Sequence, residues 1–133
     1  LKVTTMPIEV IVHPNTSNTI RFDFRGPWTW DKLVAAAQTD AQRMRPSQDP
    51  TYFVLNFLPD STSPGLGIFP FARDLMQRVV ERIAHVYIVA QIPIVRFMAT
   101  TFCRMYTHLG KRITVVATLE DAENAIRRQQ GTP

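Results

Sequence analysis

With 133 residues, 45% hydrophobic and 20% charged, the chain has the make-up of one folded domain over 1–133, not of a disordered segment. A formal charge of +4 invites a nucleic-acid reading, but that needs a basic stripe. Asp and Glu are interleaved among the arginines of "ARDLMQRVVERI" and "TLEDAENAIRR", so nucleic-acid binding is not expected.

In chain order, "IEVIVH" (residues 8–13) and "TIRFDFRG" alternate with the period of half-buried strands. In the second, Ile20, Phe22 and Phe24 face one way and Arg21, Asp23 and Arg25 the other. The turn-forming "PNTSN" between them predicts an antiparallel hairpin with one wet face. Trp30, Leu33, Val34, Ala37, Ala41 and Met44 then recur at helical spacing. This predicts a helix from Trp30 to Arg45, capped by Thr29, with Asp31 in its first turn and Pro46 ending it. "TYFVLNFL" is the continuous apolar run of a strand covered on both faces.

After the loop 59–68, Phe71, Leu75, Met76, Val79, Val80 and Ile83 predict a second helix. It starts near Phe69, because Pro70 is tolerated only in a first turn. "HVYIVA" is the next strand. "PIVRFMATTFCRMYTHLG" is a helix begun by Pro93 and stopped by Gly110, with an expected apolar stripe of Ile94, Phe97, Met98, Phe102, Met105 and Leu109. "RITVVAT" is the last strand, and "TLEDAENAIRRQQ" the last helix, with Thr118 and Asp121 at capping-box spacing. Residues 1–6 and 130–133 are expected to fray.

Strand–helix alternation with short loops requires a mainly parallel sheet built by right-handed crossovers. The predicted class is therefore α/β: a five-stranded mixed sheet with an N-terminal antiparallel hairpin and four helices. Ligands of such sheets collect beyond the carboxyl ends of the strands. Four loops should meet there: Gly26 to Trp30, Pro59 to Ile68, Gln91 to Pro93, and Ala117 to Leu119.

The most suggestive of these is "LPDSTSPGLG", where Ser61, Thr62, Ser63, Gly65 and Gly67 precede a helix whose free N–H groups favour anions. It carries no Gly-Lys-Ser/Thr phosphate-loop signature, so capping and turning are the plainer roles for Asp60, Ser61 and Ser63. Trp30 reads as core, and Trp28 either covers the end of the core or recognises a ligand. His13, His85 and His108 lack metal spacing, so no metal or cofactor is expected. Cys103 reads as a small buried side chain. As a single cysteine it forms no internal disulfide and points to the cytoplasm. No apolar run approaches the ~20 residues of a membrane helix, and no signal-peptide pattern opens the chain.

With "YFVLNFLPDSTSPGLGIF", "ITVVATLEDAENAI" and "GPWTWDKL" in view, the chain resembles the STAS-like family of anti-sigma-factor antagonists, in particular its small stand-alone bacterial branch. The resemblance covers nearly the whole chain in element order, on loose motifs. In the antagonists an Asp-Ser-Ser-Gly-Leu-Gly motif is phosphorylated on its second serine to switch partner binding. Here Thr62 stands at the Asp, Ser63 at the first serine and Pro64 at the acceptor, while Gly65, Leu66 and Gly67 match. Asn56 stands where an Asp is often found. A proline accepts no phosphate, so the switch does not carry over at that position, leaving Ser61 or Ser63 as substitutes.

The resemblance implies a non-catalytic regulatory module that binds a protein partner through the 59–68 loop and the helix after it. The alternative is a sensor or carrier of a small molecule or anion, using Trp28, Ser61, Thr62, Ser63, Gly65, Leu66, Gly67 and Gln91 at the strand ends. Ser63 and Asp60 are the only candidates for an enzyme, and none is expected. An exposed hairpin face leaves a homodimer open.

Overall fold

The alternating apolar residues do form the first two strands. β1 (Ile8–Val12) and β2 (Thr19–Phe24) pair antiparallel, Ile8 opposite Phe24 and Val12 opposite Ile20. The computed structural model describes residues 7–44, 49–62 and 65–131. In it β2, β3 (Thr51–Phe57), β4 (Ile83–Ala90) and β5 (Ile113–Val116) run parallel, giving a five-stranded mixed sheet in the order β1-β2-β3-β4-β5. The α/β class expected from the sequence is the observed one.

Because each parallel strand is added beside the one before, every crossover steps in the same direction. Right-handed crossovers of one direction put their helices on one face of the sheet. That face carries Ile20, Phe22 and Phe24 of β2, Phe53, Leu55 and Phe57 of β3, and Val86 and Ile88 of β4. Over it lie α1 (Trp30–Ala35), α2 (Phe69–Val79), α3 (Pro93–Met105) and the single turn α4 (Thr107–Gly110). The opposite face is covered by α5 (Leu119–Gln129), whose Ala122 and Ile126 pack on Val54, Tyr87 and Val89.

Both predicted caps are present. Thr29 accepts the backbone N–H of Lys32, and Thr118 that of Asp121, each satisfying one orphan donor of a first turn. Pro70 sits in the first turn of α2, where its missing N–H does no harm.

Several expectations need correction. The first helix does not run as a regular α-helix: Ala36–Ala41 is a π-helical segment. Residues five apart on an α-helix are separated by about 140° of rotation, but a π turn brings them together. Ala36 and Ala41 are accordingly both buried against β1 and β2. The predicted end at Arg45 and Pro46 lies outside the described residues. Ile83 does not belong to α2. The helix ends at Val79 and a 3-10 turn (Val80–Arg82) follows, while Ile83 joins the β4 ladder opposite Thr51.

The stripe of α3 is borne out at Met98 and Phe102, and at Leu109 in the turn after it, but not at Ile94, Phe97 and Met105. Val95, Met98, Ala99 and Phe102 are buried, while Ile94, Phe97 and Met105 are exposed. Two apolar stripes compete on this helix, and the Arg96 guanidinium, donating to the Ala90 carbonyl at 3.1 Å, helps fix which one faces inward. Phe71 of α2, expected on the apolar stripe, is likewise exposed. Finally, the second face of the hairpin is not simply wet, because Asp23 is buried.

Candidate functional site

The loops after β2 and β3 do meet. Thr62 donates its backbone N–H to the Gly26 carbonyl at 3.0 Å, and Pro27 and Thr62 form an isolated parallel bridge. Within the serine loop, Ser61 is buried and its hydroxyl donates to the Leu58 carbonyl at 2.8 Å, which is the work of a turn residue. Thr62 is exposed, and Ser63 and Pro64 lie outside the described residues. Gly65 has φ +97° and ψ 179°, a region open in practice only to glycine. Leu66 and Gly67 follow in a 3-10 turn (Leu66–Ile68), both exposed. Gln91 is exposed at the end of β4, and no side-chain hydrogen bond among the described residues ties it to this loop.

Trp28 is placed differently from its loop neighbours. It is buried, with its ring 5.0 Å from Phe24 and 6.1 Å from Phe57 between centroids. Trp30 is half-buried and meets the ring of Phe71 at 6.3 Å. Both tryptophans help to line a cavity of about 190 Å³ between the sheet and its helices. The sheet contributes Phe24, Leu55, Phe57, Val86, Ile88 and Ile113. Leu33, Ile68, Phe69, Ala72, Leu75 and Met76 close it from the side of α1 and α2, and Val95, Met98, Ala99 and Phe102 from α3.

Every lining residue is apolar or aromatic, and only the two indoles carry a side-chain nitrogen or oxygen. The Trp28 Nε1–H is buried and has no hydrogen-bond partner among the described residues. No side chain of the wall can act as an acid, a base or a nucleophile.

Of the proposed site residues that the structure describes, Trp28 alone lines this cavity. The rest of the wall escaped the sequence reading because each member looks like an ordinary core residue. The usable signal is negative: α2 and α3 turn Ala72 and Ala99 toward the sheet, where longer side chains would fill the space.

The opposite face of the sheet is apolar where α5 packs on Val54, Tyr87 and Val89, and carries a connected polar cluster at its hairpin end. Asp23 accepts from Asn56 Nδ2 at 3.0 Å and from Arg21 at 3.2 Å. Arg21 Nη1 reaches His13 Nδ1 at 3.3 Å, and His13 Nε2 meets Glu123 Oε1 of α5 at 3.0 Å. With Arg21 donating to Nδ1, His13 donates from Nε2 to the carboxylate. Burial alone would raise the Glu123 pKa. Hydrogen bonds from Asn15 and His13, with the charge of Arg127, outweigh it and hold Glu123 below the usual carboxylate range.

Further along the same face, burial and then the Arg112 charge lower His85, which hydrogen-bonds Thr114 Oγ1 at 2.8 Å. Burial raises the Tyr87 phenol, whose oxygen accepts from Gln129 at 2.7 Å. On the helix face, burial pushes the Cys103 thiol up, the opposite of what a reactive thiolate needs. Among the described residues, no cluster of His, Cys, Asp or Glu could hold a metal ion.

The chain matched no family model and no curated protein. No described helix is long and apolar enough to cross a membrane.

Proposed function

We propose that this protein binds a small apolar molecule in the cavity beneath α1, α2 and α3, and acts as its carrier or sensor without transforming it. One observation carries this reading: a cavity of about 190 Å³ whose wall is apolar throughout. Protein interiors otherwise pack to crystal density. Sealed and empty, such a void would cost on the order of 5 kcal/mol at ~24 cal/mol per Å³. Its opening to solvent lowers that figure and supplies an entry path. Binding sites of this kind are concave and mostly apolar, with very few polar groups.

The test is displacement of an environment-sensitive dye such as anilinonaphthalene sulfonate, with thermal shift as the second readout. Saturable dye uptake that Ala99→Leu and Ala72→Leu abolish, while both variants stay folded, is the expected result. Uptake unaffected by either filling variant would rule the cavity out.

A second reading has its own support. Leu66 and Phe71, on the turn and helix after the serine loop, are 50% and 58% exposed. Large apolar side chains held in water at the place where the STAS-like resemblance puts partner binding favour a regulatory protein-interaction module. Affinity purification from the source cells would find a protein partner that Leu66→Ser with Phe71→Ser releases. Retention of the partner by that double variant would exclude this surface.

A further inference from the structure

The excess positive charge of the chain is not spread evenly. Between residues 83 and 119 there is no Asp or Glu, and the four Lys and Arg are Arg96, Arg104, Lys111 and Arg112. The whole chain holds 15 Lys and Arg against 11 Asp and Glu, so the other 11 cations are balanced and this stretch carries the entire formal charge of +4. All four cations are exposed, and none has a carboxylate partner among the described residues. Arg21, Arg43, Arg73 and Arg127, by contrast, each sit beside one.

The same stretch exposes apolar bulk. Ile94, Phe97 and Met105 of α3 are 56%, 58% and 58% exposed. With 3.6 residues per turn, these three and Thr101 fall within one arc of about 80°, a ridge about 17 Å long with Arg104 directly beside it. All three stand on the stripe that the sequence assigns to the core, so only the structure reveals this face. The exposed Leu66 and Phe71 differ, because Asp60, Arg73 and Asp74 near them in the chain leave neither sign in excess.

We propose that the outer face of α3 docks on the surface of a bilayer containing anionic phospholipid, without crossing it. Ile94, Phe97 and Met105 enter the boundary between headgroups and acyl chains, and the cations around them meet the headgroup phosphates. Nucleic acid fits less well, since large apolar side chains separate the cations. The choice of lipid over an acidic protein rests on the cavity reading above. The inner face of α3, with Val95, Met98, Ala99 and Phe102, is a wall of that cavity. A bilayer on the outer face therefore places a reservoir of apolar molecules one helix away from a site for them.

Flotation with phosphatidylcholine vesicles, with and without phosphatidylglycerol, tests the proposal at low and at high salt. Partitioning is expected to be at least about tenfold stronger with phosphatidylglycerol and to weaken as salt rises. Arg104→Ala and Lys111→Ala should each weaken it roughly fivefold. Ile94→Ser combined with Phe97→Ser should weaken it at least about tenfold, while Leu66→Ser combined with Phe71→Ser leaves it unchanged.

Absence of partitioning onto the phosphatidylglycerol vesicles at low salt overturns the proposal. So does partitioning that the Ile94→Ser and Phe97→Ser pair leaves intact, since charge alone would then hold the protein there. A helical peptide of Leu and Glu bound at this face, with vesicles ignored, would transfer the surface to an acidic protein and overturn it too. Circular dichroism checks the fold of the serine pair, and if that pair unfolds, Arg104→Glu with Lys111→Glu decides by losing or keeping the partitioning. Vesicle binding by a chain that takes up no dye would remove the cavity reading alone, and dye uptake without vesicle binding would remove this inference alone.

Discussion

The two faces of the sheet solve opposite problems. On the side of α5, beside its apolar contacts with Val54, Tyr87 and Val89, the hairpin end of the sheet presents Arg21, Asp23, Asn56 and His13, and nearly every polar group there is met by a neighbour. Under α1, α2 and α3 the surface is wholly apolar, yet space is left over. The polar face is satisfied without help from outside, whereas the apolar face is incomplete. The comparison teaches that a hydrophobic layer, and not the polar cluster, is where a ligand has something to add.

The largest test of this contrast is Asp23→Ala. It leaves the Arg21 guanidinium and Asn56 amide on a covered face without their acceptor, and should cost about 3 kcal/mol, in the range for breaking a buried pair from one side. Urea unfolding measures it, and a loss below about 1 kcal/mol would show that the polar face is looser than its geometry.

Gly110→Ala comes next, on the apolar side. A Cβ there would lie 2.8 Å from the Cys103 carbonyl oxygen, a backbone atom that cannot swing away. A loss of about 2 kcal/mol is expected. Unchanged stability would mean that α4 slides freely on α3.

The pH dependence belongs to the polar face. Both His85 and Glu123 have folded-state pKa values below their ordinary ones, so each contributes stability that is complete above its unfolded pKa. The His85 share should be lost as pH falls below about 6.5, and the Glu123 share as it falls below about 4.3. His85→Asn should flatten the upper part of the stability profile and Glu123→Gln the lower. Profiles that keep their slope in both variants would move the acid sensitivity to other groups.

The smallest effect is a gain. Ala99→Leu should stabilise the empty protein by about 1 kcal/mol as it fills the cavity, at the expense of ligand uptake. A loss of comparable size would mean that the space is already closed to a longer side chain.

How much of this was legible in the sequence follows from what each feature depends on. The alternation of Ile20, Phe22 and Phe24, the caps Thr29 and Thr118 and the turn position of Pro70 are local patterns, and the structure realises all of them. The burial of Met98 and Phe102 was legible, but not the choice of Val95 and Ala99 over Ile94 and Phe97, because these neighbours are all apolar and only packing against the sheet separates them. Nor was the π segment, since alanines at 35, 36, 37 and 41 suit either helix. Trp28 could be picked out as a candidate, but its unmet N–H is a relation among β2, β3 and the helices that no linear spacing records. The polar chain is hidden for the same reason, with His13 and Glu123 lying 110 residues apart.

That separation bears on how the molecule is made. The β1–β2 hairpin is among the first described elements to leave the ribosome, whereas α5, which supplies Glu123 to His13 and Arg127 to the Asn15 carbonyl, and Gln130 just after it, which donates to the Ser17 carbonyl, are the last of them. At roughly 5–20 residues per second of synthesis the hairpin waits several seconds or more with that side of it uncovered. Arg21, Asp23 and Asn15 keep that waiting surface hydrated. A nascent chain with a polar face on its early sheet is less prone to pair with its neighbours than one with apolar residues there, so the same charges that later lock α5 down also guard the unfinished protein.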